Sequence, residues 1–341
     1  MSHTNYLHRH IRRKDAIRAT VAVVLLVVIA LLVFKVITSW EHNQYDVPAN
    51  AELTSEAAVQ ERKHITYNGV DYIQREGLQT WLLMGIDESG EAVGTESYIG
   101  GGQADVQMLL VVDHINKTWQ ILQLNRDSMV DVPVLGVTGK VIGTEFEQLT
   151  LAHSYGDGKK KSCENTVNTV SNLFNGQKID GYMALNMDAV AILNDMVGGV
   201  PVEVSSDFSA VDPSLQEGTV VTLQGDQALT FVRARRDVDD QSNLSRMARQ
   251  RQYLAALEKQ MEKQDADFAV RAYDAVFDYM VTNMGSKTVT ELGQYMKEYT
   301  ELDLLTIDGE SKVEDNHIAY YLDEDSLQQT MLTLFYEKSN S

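Results

Sequence analysis

The feature that most constrains this chain is an uncharged apolar run near its start, Ala19–Phe34. A helix that crosses a bilayer needs about 20 apolar residues, and Lys35 can extend its amine to the interface at the end of the run. Trp40 then lies where interfacial aromatic side chains concentrate. We therefore expect a transmembrane anchor over residues 19–40. A cleaved signal peptide is the competing interpretation, although no small-residue cleavage site follows the run.

The charges that flank the run predict its orientation. Residues 1–18 contain five basic residues and one acidic residue, a net charge of +4, and such segments stay in the cytoplasm. Residues 41–64 are polar and fit an extracytoplasmic linker. The remaining residues, 65–341, would form one outward-facing domain. The net charge of the whole chain is −20, which argues against a nucleic-acid partner.

The pattern of apolar residues in the outer part predicts an α/β fold. Asn68-Gly69 between two short alternating segments indicates a hairpin. Short apolar runs alternate with helical periods, which favours a mixed central β-sheet flanked by helices on both faces. The elements that matter below are strands at Thr80–Met84, Gln107–Val112 and Trp119–Leu124 and helices from Ser242 past Met261 and over Phe268–Met284.

Six arginines lie between residues 231 and 252 of an otherwise acidic domain. If Phe231–Arg235 is extended, Arg233 and Arg235 point to one side. Arg246 and Arg249 are three residues apart on a predicted helix and share a face. Together they would suit bidentate binding of phosphate oxygens. A solvated face paired with neighbouring aspartates is the alternative.

Three further candidates lie at predicted strand ends. Asp87 follows the first strand, Asp105 precedes the second, and Arg126 follows the third. Ligands bind at the ends of strands in open α/β sheets. Two carboxylates there could hold Mg²⁺, which takes few carboxylates together with waters and phosphate oxygens. Each aspartate alone is more typical of a turn.

Read in order, these segments resemble the LytR–CpsA–Psr family of cell-envelope proteins. The resemblance spans residues 65–341, and the apolar anchor fits it as well. The motifs that carry it are Leu82–Asp87, Ala104-Asp105, Leu124–Asp127, Ala152–Gly156, Asp195–Val200, Leu223–Leu229, Phe231–Arg235 and Arg246–Gln252.

The resemblance implies transfer of a phosphoglycosyl polymer, of teichoic-acid or capsule type, from a polyprenyl-diphosphate carrier to peptidoglycan at the outer face of a Gram-positive-type membrane. It implies that lipid occupies an apolar cleft. Asp87 and Asp105 would hold Mg²⁺ and activate the acceptor. The diphosphate would bind Arg126, which also acts in catalysis, and the set Arg233, Arg235, Arg246, Arg249 and Gln250.

Departures from the family pattern leave a second interpretation open. Ala104 and Val106 replace hydroxyl residues beside Asp105, and Gln148 replaces a lysine. No arginine follows Asp87 within two residues, where one is common, and Glu88 stands next to it. Lipid-diphosphate binding tolerates these changes better than catalysis does. The alternative is therefore a non-catalytic envelope protein that binds polyprenyl-diphosphate lipids or peptidoglycan. Diphosphate hydrolysis is a further possibility, since water could replace the acceptor.

Overall fold

The computed structural model describes residues 62–95, 100–261, 263–265, 268–314 and 317–339. The predicted anchor at residues 19–40 lies outside these ranges. Within them, no helix is both long enough and apolar enough to cross a bilayer.

The described elements number sixteen strands and eight α-helices. The strands are β1 (His64–Tyr67), β2 (Val70–Gln74), β3 (Leu78–Ile86), β4 (Ala104–Asp113), β5 (Thr118–Leu124), β6 (Met129–Leu135), β7 (Val141–Gln148), β8 (Gly181–Asn186), β9 (Val200–Glu203), β10 (Val220–Leu223), β11 (Met280–Thr282), β12 (Thr300–Glu301), β13 (Leu305–Thr306), β14 (Gly309–Glu314), β15 (His317–Leu322) and β16 (Tyr336–Lys338). The helices are α1 (Leu151–Ser154), α2 (Lys160–Leu173), α3 (Asp188–Met196), α4 (Asp226–Arg233), α5 (Asn243–Met261), α6 (Phe268–Val276), α7 (Ser286–Glu298) and α8 (Glu324–Phe335).

The central sheet is mixed, as predicted. Its strand order is β11-β8-β3-β4-β5, and both β12 and β13 pair with the outer edge of β5. Strand β3 runs parallel to β8 and antiparallel to β4, and β4 is antiparallel to β5. The end of β3, the start of β4 and the end of β5 therefore meet at one end of the sheet.

Helices cover both faces of this sheet, which explains why its strands are almost continuously apolar. Leu82 and Met84 of β3 point into a core that α1, α2 and α8 close. Trp81 and Leu83 point the other way, into a core that includes Leu292 of α7. A third core lies among α3, α4, α5 and α6. The helix-flanked architecture is thus confirmed.

The N-terminal hairpin follows its predicted turn, whereas two other segments differ. Asn68 and Gly69 join β1 to β2 with positive φ angles of 50° and 75°. The predicted helix over Phe268–Met284 is too long. Helix α6 ends at Val276, a 3-10 turn covers Phe277–Tyr279, and β11 then pairs with β8. Extended structure at Phe231–Arg235 is also wrong, since residues up to Arg233 belong to α4.

An antiparallel hairpin of β6 and β7 follows directly after β5. Met129 pairs with Gln148 at its base, and Asp131 pairs with Phe146 one step further out. Val130 and Val132 point inward and are buried in the core beside α2. A second hairpin, β14–β15, lies alongside, and a bridge joins Ser128 to Tyr320.

Candidate functional site

Asp105 lies inside β4 rather than before it, and a β-bulge sets its direction. Gly85 pairs with Val106 and Ile86 pairs with Ala104, so Asp105 is the extra residue of the bulge. Bulges change the direction in which a side chain points and concentrate next to active sites. The carboxylate of Asp105 is thereby directed toward α5 and the loop after β5.

Two arginines share the buried carboxylate of Asp105. Arg126 bonds to Oδ1, and Arg246 Nη1 donates to Oδ2 over 2.8 Å. The side chains of Asp105, Arg126 and Arg246 are 3%, 12% and 4% exposed. Burial lowers the pKa of Arg246, and the charge of Asp105 is the largest influence that raises it. Asp105 therefore acts as the fixed counter-ion of two guanidinium groups.

Asp127 is a second shared carboxylate. Arg126 Nε and Arg235 Nη1 each lie 3.3 Å from it, and Gln148 Nε2 donates to it over 3.2 Å. Burial raises the pKa of Asp127 above its ordinary value of 3.8, and the charges of Arg126, Arg235 and Arg246 oppose that rise. Arg126 thus bridges Asp105 and Asp127.

Arg233 and Asp87 form the most open pair. Arg233 Nη2 lies 2.5 Å from Asp87 Oδ1, and the two side chains are 44% and 29% exposed. This contact is an ion pair without hydrogen-bond geometry, since the buried atom Asp87 Oδ1 has no hydrogen-bond partner among the described residues. Because α4 ends between them, Arg233 and Arg235 reach different carboxylates.

These contacts define an arginine–aspartate cluster at one end of the central sheet. It contains four of the arginines that the sequence singled out, together with both predicted aspartates and Asp127. Its members are Arg126, Arg233, Arg235, Arg246, Asp87, Asp105 and Asp127.

Arg249 and Gln250 point elsewhere, to the end of α4. Arg249 donates to the carbonyl oxygens of Phe231 and Ala234 and pairs with Asp239 at 2.5 Å. Gln250 Nε2 donates to the carbonyl of Val232 over 3.2 Å. The last carbonyls of a helix lack intrahelical partners, and these two side chains satisfy them. Both therefore hold the segment from which Arg233 and Arg235 extend, instead of facing the cluster.

Neutral amides that sequence reasoning missed fix the cluster's arginines. Asn243 Oδ1 accepts from Arg246 Nε at 3.0 Å, and its amide donates to Asn125 Oδ1 at 2.7 Å. Gln103 Oε1 accepts from Arg126 Nη2 at 2.5 Å. Amides carry no charge signal that a sequence scan could detect. Their only clue is position, since Asn125 and Gln103 each stand within two residues of a predicted site residue.

An apolar cavity adjoins the cluster between the sheet and α3, α4 and α5. Its lining is almost wholly aliphatic, and Gln250 supplies one of its few polar groups. The side-chain oxygen of Gln250 that faces this region has no hydrogen-bond partner among the described residues. Residues that line it include Gly85, Val106, Met108, Val190, Leu193, Val232 and Tyr253.

His153 is buried, and its contacts within the described residues lie outside the cluster. Its Nδ1 lies 3.2 Å from the carbonyl oxygen of Gly102, and Nε2 lies 4.0 Å from the sulfur of Cys163. Burial lowers the pKa of His153 and raises the pKa of the Cys163 thiol, so both are neutral at pH 7. Neither group supplies charge to the site.

The cluster offers oxygen ligands for a hard cation. Asp87 Oδ1 contacts one arginine, Arg233, without a hydrogen bond, whereas both oxygens of Asp105 are engaged by arginines. In the described part of the chain, no three acidic, histidine or cysteine side chains gather as a metal site. Mg²⁺ needs only one or two carboxylates when phosphate oxygens and waters complete its shell. The residues therefore fit a magnesium ion that arrives with a phosphate ligand.

Comparison with known proteins identifies a family to which this chain is similar. The model of the LytR_cpsA_psr family matches residues 43–335. A polyisoprenyl-teichoic acid–peptidoglycan teichoic acid transferase, TagU of Halalkalibacterium halodurans, is 30% identical over 65% of this chain and 68% of its own.

Solved structures share the fold. A protein of Streptococcus agalactiae matches with a TM-score of 0.61 at 24% identity, over 77% of this chain and 90% of its own. The structure described as TagT bound to LI-WTA matches with a TM-score of 0.56 at 22% identity, over 76% and 90%. Because the family model covers residues 43–335, the chain belongs to the LytR–CpsA–Psr family.

Proposed function

We propose that this chain transfers a teichoic-acid-type phosphoglycosyl polymer from a polyprenyl-diphosphate carrier to a hydroxyl of peptidoglycan. The observation that carries the proposal is the arginine–aspartate cluster beside an apolar cavity. Four guanidinium groups at one mouth suit a diphosphate, and the cavity suits the first isoprene units of a lipid tail. The name of the Halalkalibacterium halodurans relative describes the same class of reaction.

In the proposed reaction the acceptor hydroxyl attacks the phosphorus that carries the sugar. The bond from that phosphorus to the bridging oxygen breaks, and polyprenyl phosphate leaves with the electron pair. The acceptor keeps the phosphoglycosyl group and loses a proton. The guanidiniums stabilise the charge that grows on the phosphate oxygens, because they are fixed before the reaction begins.

Asp87 is the better placed of the two aspartates to take the proton. It stands at the mouth, 29% exposed, while Asp105 is 3% exposed with both oxygens bound to arginines. A general base must reach the proton that it removes. We assign Asp105 the positioning of Arg126 and Arg246. Mg²⁺ held by Asp87, with Asp105 nearby, would neutralise further charge on the diphosphate.

The proposal also includes the placement of the protein. An anchor at residues 19–40 with a cytoplasmic N-terminus would hold the described domain at the outer surface, where a membrane-borne carrier presents its diphosphate. The support for it is the apolar run and its basic flank.

The test is turnover of a synthetic short-prenyl diphosphate-linked disaccharide with a peptidoglycan oligomer and Mg²⁺. Arg235→Ala should weaken donor binding by about 10- to 100-fold, since a hydrogen bond to a charged group contributes about 1.5–3 kcal/mol. Arg271→Ala is the matched control, because Arg271 is exposed and its contacts in the described structure, with Asp265 and the ring of Phe268, lie outside the cluster. Donor binding without transfer would favour the non-catalytic alternative. Equal effects of the two variants would refute the site.

A further inference from the structure

The β6–β7 hairpin presents an outward face with an aromatic ring at its centre. Strand side chains alternate, so Val130 and Val132 face the core while Asp131 faces out. On β7 the outward residues include Phe146, which is 55% exposed, and Gln148 at the base. A phenyl ring this open contributes little to the core that the hairpin covers.

A second aromatic ring from the neighbouring hairpin extends this face. The rings of Phe146 and Tyr321 have centroids 6.5 Å apart at 38°, near the outer limit for an aromatic pair. Tyr321 is held in place, because its hydroxyl donates to Glu314 over 2.9 Å and Lys312 Nζ lies 4.9 Å above its ring. Phe146 therefore supplies the open ring of this face, and the half-buried Tyr321, with Lys312 above it, borders that ring.

A free carboxylate stands beside Phe146. Asp131 is the direct cross-strand partner of Phe146, and such partners have Cβ atoms about 5 Å apart. The side chain of Asp131 is exposed, and its carboxylate takes part in no hydrogen bond or ion pair within the described residues. Its oxygens can therefore accept from hydroxyl groups. A ring surface flanked by an unengaged acceptor matches a sugar ring, which has C–H groups on its faces and hydroxyl donors around its edge.

The location of this surface indicates which sugar of the donor would bind to it. Gln148 lies two residues from Phe146 on the same side, about 7 Å along the strand, and donates to Asp127 of the cluster. The apolar cavity is lined from α3, α4 and α5, whereas the hairpin packs on α2, where Asn165 donates to the Pro133 carbonyl. A donor with its tail in the cavity and its phosphates at the cluster would therefore extend its sugar toward Phe146.

We propose that Phe146, Tyr321 and Asp131 form a binding site for the sugar that is linked directly to the donor's diphosphate. This inference rests on the proposed function and adds a specificity site to it. The site makes the enzyme favour a glycosylated lipid diphosphate over the bare carrier, which lacks the ring that would stack.

The experiment compares two probes by calorimetry with the full-length chain: farnesyl diphosphate, and farnesyl diphosphate that carries N-acetylglucosamine on its terminal phosphate. Phe146→Ala should weaken binding of the sugar-linked probe about five- to tenfold, the size of one aromatic contact. It should change the affinity for farnesyl diphosphate less than about twofold. Phe146→Trp should keep the wild-type preference for the sugar-linked probe over farnesyl diphosphate, and Asp131→Ala should reduce that preference.

Ile142→Ala is the matched control, since Ile142 is an exposed apolar residue of the same strand and lies at the bulge near the far end of the hairpin. It should leave both affinities unchanged. If Phe146→Ala weakens the binding of both probes equally, or of neither, the inference is overturned while the proposed function remains intact. In the turnover assay, an effect of Phe146→Ala that is confined to the KM of the peptidoglycan acceptor would overturn the assignment of this surface to the donor. If the wild-type chain binds neither probe, the proposed function itself fails.

Discussion

Replacement of Asp105 by alanine tests whether this residue holds the cluster together. In the structure its carboxylate is the shared counter-ion of Arg126 and Arg246, and all three side chains are buried or nearly so. Without it, two guanidiniums would face each other with only Asp127 and neutral amides nearby. Removal of one partner from a buried ion pair costs about 3–5 kcal/mol, because the remaining charge loses its compensation.

This cost converts into a large thermal shift. For a domain of this size, 1 kcal/mol corresponds to about 2–4 °C, so the Tm of Asp105→Ala should fall by about 6–20 °C. Thermal unfolding of the full-length chain, followed by circular dichroism, measures it. Asp131→Ala provides the control, because Asp131 is an exposed strand carboxylate without a partner in the described residues, and its Tm should equal that of the wild type.

Ligand rescue separates the electrostatic explanation from simple loss of packing. Pyrophosphate supplies negative charge to the same guanidiniums, so it should raise the Tm of Asp105→Ala more than that of the wild type. A Tm equal to the wild-type value, or a low Tm that pyrophosphate does not raise selectively, would refute the counter-ion role.

Three other outcomes follow from the site. Because burial raises the pKa of Asp127 in the folded protein, its protonated form becomes more populated as the pH falls toward that pKa. The affinity for a diphosphate diester should then increase, and Asp127→Asn should abolish the pH dependence of the measured Kd. Val190→Phe would add a ring to the lining of the apolar cavity, so the KM for long-prenyl donors should rise while the Kd for pyrophosphate stays constant. Arg249→Lys cannot reach two carbonyls and Asp239 together, so donor affinity should fall without any change in the charge of the cluster.

Much of the site could be predicted because charged residues and apolar runs are visible in a sequence. Asp87, Asp105 and Arg126 each lie close to the apolar run of a strand, and adjacent antiparallel strands bring the ends of these runs together. The helix predicted from Ser242 begins at Asn243, so the helical position of Arg246 was predictable as well. These strands and this helix follow from local patterns of apolar and charged residues, and the tertiary contacts agree with those patterns.

The parts that could not be predicted depend on contacts between distant segments. The bulge at Asp105 exists only through pairing with β3, and no residue type marks it. Helix α4 overrode the extended pattern of Phe231–Arg235 because Arg249 and Gln250, on another helix, satisfy its terminal carbonyls. Strand β6 contains Pro133, which usually argues against a strand; it is tolerated because β6 pairs with β7 alone.

The cluster's internal pairing determines how it can accept an anion. Four arginines face three aspartates, a net charge of +1, and every one of these arginines already contacts a carboxylate. An entering diphosphate must therefore compete with aspartates, and the displaced carboxylate must find water, a proton or a cation. Asp105 is too buried to reach water, and burial already favours a proton on Asp127. Asp87, at the mouth and without a hydrogen bond, is the carboxylate that can exchange its arginine for Mg²⁺, so metal and diphosphate should each strengthen binding of the other.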